Sequence, residues 1–280
     1  MRIKLTADST IDLPKEILET HQISLSPLRI NLEDTIYLDT INISVDDIYK
    51  AVAQGSSIPT TSAMNIWEYT EFFEQFKEYE QIIHFSLGSH FSSSHQNAYL
   101  AAQEVNNVSV IDTQNLSAGS GLLVLKAVKL IQSDMKVEDI LSHLEQLIPK
   151  VNVSFVLDTL EYMRKGGRIS SFAEYGVQTL KIHPSISVID GEMKVGRLFH
   201  GSLPRSLKKY VTSILSNKEK YEPDYLILAH SGLEDVELLE SIYQSIIEVN
   251  YFKSVIVSRV GSTISTHSGP NTVGLLGILK

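Results

Sequence analysis

The sequence predicts a two-lobed α/β protein: a mainly parallel sheet with flanking helices in the first lobe, and a smaller mixed α/β second lobe. Three observations carry this. Short β-branched runs alternate with longer amphipathic ones, a pattern that favours a parallel sheet covered by helices. The second half contains two strand-like runs about a single glycine, which read as a hairpin. Hydrophobic residues make up 43% and charged residues 20% of the 280 residues, enough apolar material for two packed lobes.

Arg2–Ala7, Ile82–Ser86, Val108–Asp112 and Val153–Leu157 read as strands. Between them lie helical patterns, the clearest being the stripe Val137, Ile140, Leu141, Leu144, Leu147 and Ile148. The hairpin spans Ser185–Asp190 and Glu192–Leu198 about Gly191. A helix over Leu203–Leu215, a strand over Tyr225–Ala229, a helix over Glu234–Val249, a strand over Ser254–Val257 and a Gly-rich end follow. The stretch Asp158–Pro184 separates the halves, which places the boundary near residue 160, between lobes 1–160 and 161–280. Ligands favour the cleft between two such lobes.

Composition narrows the function classes. There are 24 basic and 33 acidic residues, a net charge of −9, which disfavours nucleic acid and allows only transient membrane contact. The chain has no cysteine, so disulfides, thiol catalysis and cysteine metal sites are excluded. No signal-like stretch opens the sequence, and the most apolar segment, Gly121 to Ile131, is broken by Lys126 and Lys129; a cytoplasmic protein is expected. Gly119-Ser120-Gly121 lacks the third glycine of a dinucleotide fingerprint, because Val124 stands there. No phosphate-binding loop, Gly-x-Ser-x-Gly elbow or His-Glu-x-x-His motif is present.

Five polar stretches stand out, each with a plain structural reading. Asp8-Ser9-Thr10-Ile11-Asp12-Leu13-Pro14 follows the first strand and is expected to cap a helix beginning near Leu13; Asp8 could instead bind a metal or a hydroxyl. Pro59-Thr60-Thr61-Ser62 precedes a helix expected over Ile66–Tyr79, where hydroxyls cap or an anion binds. In Ser86–Gln96 the hydroxyls of Ser92, Ser93 and Ser94 precede a helix through Ala98–Val105, as a solvated loop or as a carboxylate site. Leu157–Ser170 ends a basic helix at Gly166-Gly167 and then places Arg168, as a helix cap or as an anion or partner contact. Gly261–Gly274 sets His267 among small hydroxyl residues before Ser268-Gly269-Pro270, and reads as a shaped loop, not a core strand.

In order and spacing these stretches resemble the DegV family along the whole chain, through Asp8-Ser9-Thr10, Thr61-Ser62, the Ser92 region, Gly166-Gly167-Arg168-Ile169-Ser170 and His267-Ser268-Gly269-Pro270. Two stretches depart from the family's usual pattern: Ser92-Ser93-Ser94 stands for Ser-Gly-Thr, and Ala63-Met64-Asn65 for Gln-Pro-Ser. The resemblance implies a non-catalytic protein with no cofactor that buries one long-chain fatty acid. It also implies that the acid is presented to a separate fatty acid kinase catalytic subunit, for ATP-dependent phosphorylation to an acyl phosphate that feeds phospholipid synthesis. It places the carboxylate at Thr61, Ser62, the Ser92–Ser94 run, His267 and Ser268, with Arg168 and Gly167 at the head group or the docking face. The first lobe is then expected to hold the acyl chain and the second to close the head-group site. A serine acyl hydrolase using the Ser92 region and His267, or a lipid-sensing module, are the alternatives.

Overall fold

A computed structural model describes residues 2–168 and 182–280; Ile169 and Ser170 of the expected motif lie outside them. The first half is built on β1 (Ile3–Asp8), α1 (Lys15–Thr20), β2 (Ser24–Ser26), β3 (Arg29–Leu32), β4 (Thr35–Leu38), α2 (Val45–Ala53), β5 (Thr60–Ser62), α3 (Ile66–Glu74), β6 (Gln81–Ser86), α4 (Ser94–Ala102), β7 (Val108–Asp112), α5 (Ala118–Gln132) and α6 (Val137–Leu147). Then come β8 (Val151–Val156), α7 (Glu161–Gly166), β9 (Ile182–Ile189), β10 (Glu192–His200), α8 (Leu203–Leu215), β11 (Tyr225–Ser231), α9 (Val236–Glu248), β12 (Ser254–Arg259), α10 (Ser262–Ser268) and β13 (Thr272–Ile278).

The strands form three sheets. Strands β2-β1-β6-β7 make an all-parallel sheet, as the apolar runs of β1 and β6, almost wholly buried, require. Strands β10-β9-β8-β13-β11-β12 make a mixed one, parallel only between β11 and β12. The chain therefore passes from the first sheet to the second before β8. The hairpin of β9 and β10 turns at Asp190 and Gly191, both with positive φ (54° and 76°), the geometry that matches strand twist. The third sheet, β4-β3-β5, was not foreseen, and neither was α2.

Helix α5 lies between the two large sheets and is buried from Ala118 to Leu125. Its two glycines permit close approach on both sides. A Cβ at Gly119 would sit 2.3 Å from Val153 Cγ2, and one at Gly121 would sit 2.7 Å from the Ile11 carbonyl oxygen. Gly119-Ser120-Gly121 is thus a packing device. Leu122 and Leu123 share one core with Phe155, Ile186, Ile227 and Leu276, so the halves are joined by a common apolar interior.

Three sequence expectations need correction. Asp8 caps no helix: its carboxylate, fully buried, accepts from Ser26 Oγ (2.9 Å), Tyr69 OH (2.6 Å) and the Leu87 N–H (2.7 Å). Burial would push this carboxyl up, but the His84 imidazole, its Nε2 3.4 Å away, and the hydrogen bonds from Tyr69 and Leu87 outweigh it and hold it low. Thr61 and Ser62 do not cap α3 either. They lie in β5, paired with β3, and Asn65 caps the helix through a reciprocal box with Glu68. Finally, the stretch from Gly261 is not a loop. It forms α10 and then β13, a buried strand in the interior of the mixed sheet.

Candidate functional site

A cavity lies where the elements of both halves converge. Strand β5 supplies Thr61 and Ser62 to its wall, and the loop after β6 supplies Leu87, Phe91 and Ser92. From the second half come Phe155, Met163, Met193 and one face of α10. That face is Thr263, Ile264, His267 and Ser268, positions i, i+1, i+4 and i+5 of a helix, which point the same way.

The Thr61 loop is fixed from behind. Arg29 Nη1 donates to the Ala63 carbonyl (3.1 Å), and Asn97 Nδ2 donates to the Met64 carbonyl (2.7 Å). Across the cavity, Thr61 Oγ1 and His267 Nε2 are 2.7 Å apart and share a hydrogen bond. Burial, followed by the nearby Arg168 guanidinium, pushes the His267 imidazole down to about 4, so it is neutral at pH 7. A neutral imidazole has one donor and one acceptor nitrogen. Among the described residues, Nδ1 of His267 is buried with no partner, and Thr263 Oγ1 and Ser268 Oγ are likewise buried and unpartnered. Three side chains of one cavity wall thus each carry a buried polar atom left unpaired among the described residues.

The three serines before α4 face different ways. Ser92 lies on the cavity wall, and its Oγ accepts the Ser94 N–H (3.1 Å). Ser94 is buried behind it, 2.9 Å away Oγ to Oγ. Ser93, expected beside the ligand, is exposed, off the cavity wall, and makes no side-chain cap bond. Gly167 is the left-handed residue that ends α7 (φ 66°), exposed and off the wall, so the helix-cap reading describes its position. Arg168 follows at the rim. Its Nη1 donates to the Gly166 carbonyl (2.6 Å), and Nε approaches the Phe91 carbonyl (3.5 Å), bridging the two halves across the cavity edge.

A second cavity continues inward and shares Leu116, Phe155, Ile264 and Ser268 with the first. Its walls include Val153, Ala229, Val260 and Leu276, so the apolar path runs along the mixed sheet beside the start of α5. The sequence reading did not single out Thr263, Ile264, Phe155 or the two methionines. The available signal was the i, i+4 spacing of Thr263 and His267, visible only once that stretch is read as helix.

Among the described residues no helix is long and apolar enough to cross a membrane, and no group of three His, Asp or Glu side chains could hold a metal ion. No serine hydroxyl bonds His267 among the described residues; its Nε2 meets Thr61 and its Nδ1 meets nothing.

Comparison with known proteins extends this picture. The family model described as uncharacterised protein, DegV family, matches residues 2–280. A DegV domain-containing protein of Caldanaerobacter subterraneus subsp. tengcongensis is 30% identical over 282 residues, covering 98% of each chain. A DegV family protein from Thermus thermophilus, known for fatty acid binding, has the same fold at TM-score 0.91 and 28% identity, each chain covered in full. DegV of Bacillus subtilis, a fatty acid binding protein, follows at TM-score 0.86 and 25% identity, again with full coverage. The Streptococcus pneumoniae Fatty Acid Kinase (Fak) B3 protein, loaded with linoleic acid, shares the fold at TM-score 0.84 and 18% identity, covering 100% of both chains.

Proposed function

Because the chain belongs to the DegV family, we propose that it binds one long-chain fatty acid, with the carboxylate at the Thr61–His267 pair and the tail running inward past Phe155 and Ile264. The observation that carries this is that Thr263, His267 and Ser268, each with a polar atom unpartnered among the described residues, line a mainly apolar cavity together with Thr61 and Ser92. A carboxylate moved out of water needs hydrogen-bond donors, and hydroxyls with a neutral imidazole N–H supply them. The tail gains about 0.8 kcal/mol for each buried CH₂, so about fifteen methylenes contribute on the order of 12 kcal/mol before the costs of association. The walls that receive the tail come from both halves, Leu116 from the first and Phe155, Ile264 and Leu276 from the second.

The protein is a carrier in this reading, and a separate kinase subunit phosphorylates the bound acid with ATP, giving an acyl phosphate for phospholipid synthesis. The motif resemblance and the rim position of Arg168 support it; the likeness to Fak B3 is one of fold. Among the described residues, no Ser–His pair at His267 supports the hydrolase reading.

Organic extraction of the purified protein followed by mass spectrometry tests the binding claim. About one fatty acid per chain is expected; a protein saturated with no acyl lipid, and unable to take up oleate, contradicts it. Replacing Arg168 by alanine is expected to reduce acyl phosphate formation with a kinase subunit and ATP more than it reduces oleate affinity. An equal loss in both would place Arg168 in the binding site instead.

A further inference from the structure

Helix α10 carries one wall of the candidate site, and its start is held by carboxylates from the other half of the chain. Asp12 Oδ1 accepts the Gly261 N–H at 2.8 Å, and Asp39 Oδ1 accepts the Ser262 N–H at 2.9 Å. The second oxygen of each is also taken: Ser117 Oγ donates to Asp12 Oδ2 at 2.6 Å, and Ser9 Oγ donates to Asp39 Oδ2 at 2.8 Å. Both acids converge on one peptide unit. A Cβ at Gly261 would lie 3.1 Å from Asp12 Oδ1 and 3.3 Å from Asp39 Oδ1. The same network reaches the cavity wall, because Ser9 Oγ also accepts the Leu28 N–H (3.2 Å) and Leu28 lines the cavity.

Asp12 and Asp39 are buried, at 6% and 0% exposure, and no cation pairs with either among the described residues. Arg259, two residues before Gly261, is engaged by Asp46, and Lys15, three residues after Asp12, by Glu19. The His230 imidazole accepts the Leu233 N–H (3.4 Å), and its carbonyl accepts the Val260 N–H. The other groups packed here are uncharged: Ser258, whose hydroxyl bonds the Asp12 carbonyl, and Ser262, whose hydroxyl bonds the Ile43 carbonyl (3.1 Å). A second charge placed beside Asp39 with no counter-ion is costly, which favours the neutral form of Asp12.

We propose that Asp12 and Asp39 are positioning residues for the head-group site: they clamp the first turn of α10 so that Thr263, His267 and Ser268 face the ligand together. Asp12 keeps its proton, because burial above all, with the Asp39 charge added, pushes its carboxyl up to about 8 despite the bonds from Ser117 and Gly261. Its value in the unfolded chain is about 3.9, so the folded protein holds the extra proton between those two pH values. The stability this contributes is complete at acid pH and is lost as pH rises through about 8, where a second charge enters the clamp and loosens α10.

The ligand arm of the test rests on the fatty-acid reading; the clamp itself does not. Thermal unfolding and oleate titration of the full chain, D12N and D39N are compared from about pH 6 to about pH 9. The Tm of D12N relative to the unaltered protein is expected to rise up to about pH 8 and then level off. Between the two ends the unaltered protein is expected to lose about tenfold more affinity than D12N does. The ligand's own carboxyl titrates with either protein, so only the difference between the two profiles counts. D39N, which removes the charged acceptor of the Ser262 N–H, is expected to bind oleate about tenfold more weakly at the acid end. Parallel profiles for D12N and the unaltered protein, in both Tm and affinity, overturn the proposal. If no protein binds oleate at any pH, the fatty-acid reading fails, and the Tm profiles of D12N and the unaltered protein alone decide the clamp.

Discussion

A protein in which Thr61 and His267 are both alanine is expected to bind oleate at least about a hundredfold more weakly, with little change in fold. The two side chains meet at 2.7 Å on facing walls, one from β5 and one from α10, so each orients the other. Removing both deletes a hydroxyl and an imidazole from a cavity where water is scarce and leaves a carboxylate with too few donors. Each hydrogen bond to a charged group contributes about 1.5–3 kcal/mol, so losing two gives roughly 3–6 kcal/mol, the upper part of which extends the loss well beyond a hundredfold. Thr263, Ser268 and Ser92 remain to hold the acid weakly. Isothermal titration with oleate reads the loss directly, and affinity within threefold of the unaltered protein removes this pair from the head-group site.

Gly166→Ala is expected to cost nearly as much without touching a hydrogen-bonding side chain. A Cβ there would sit 2.2 Å from His267 Nδ1, far inside contact distance, so the imidazole must swing or α7 must shift. Overpacking of this kind costs about 1–3 kcal/mol of stability. Either movement breaks the bond between His267 Nε2 and Thr61, so oleate affinity should fall by about tenfold or more. The second glycine of the pair provides an internal comparison. A Cβ at Gly167 meets nothing within 4 Å, and only its φ of 66° resists substitution. Gly167→Asn, which tolerates that conformation, should leave affinity near that of the unaltered protein. Denaturant unfolding alongside titration separates the two effects; equal behaviour of the Gly166 and Gly167 variants contradicts the packing argument.

What could be read from the sequence follows from how strongly each segment declares itself. The strands of the parallel sheet are short apolar runs bounded by polar loops, and β7 lies where its pattern places it. The hairpin was legible because Asp190-Gly191 is the dipeptide that favours its turn. The small sheet was not, since β3, β4 and β5 have three or four residues each, and Thr60-Thr61-Ser62 looks like a set of helix caps. Helix α10 was hidden for a deeper reason. Ser262-Thr263-Ile264-Ser265-Thr266 has low intrinsic helix propensity, and its helicity is imposed by acceptors distant in sequence, Asp12 and Asp39, together with packing against α7 and α2.

The site shows the same division. His267 was visible because an imidazole among small hydroxyl residues is unusual, and Thr61 because its segment matches a family motif. Thr263 carried no such mark. The serine run stood out as a region, but its three members could not be told apart. At a helix start successive residues turn by about 100°, so Ser92 can face the cavity while Ser93 faces solvent and Ser94 is buried. Only the backbone decides among them.

The most direct measurement of the central claim is a crystal structure with a fatty acid carrying bromine at its far end, located by anomalous scattering. The account predicts carboxylate oxygens within hydrogen-bond distance of Thr61 and His267, and bromine in the inner cavity beyond Phe155 and Ile264, near Ala229 and Leu276. Bromine beside Arg168 with the acid group buried inward, or electron density for the ligand only on the outer surface, would contradict it.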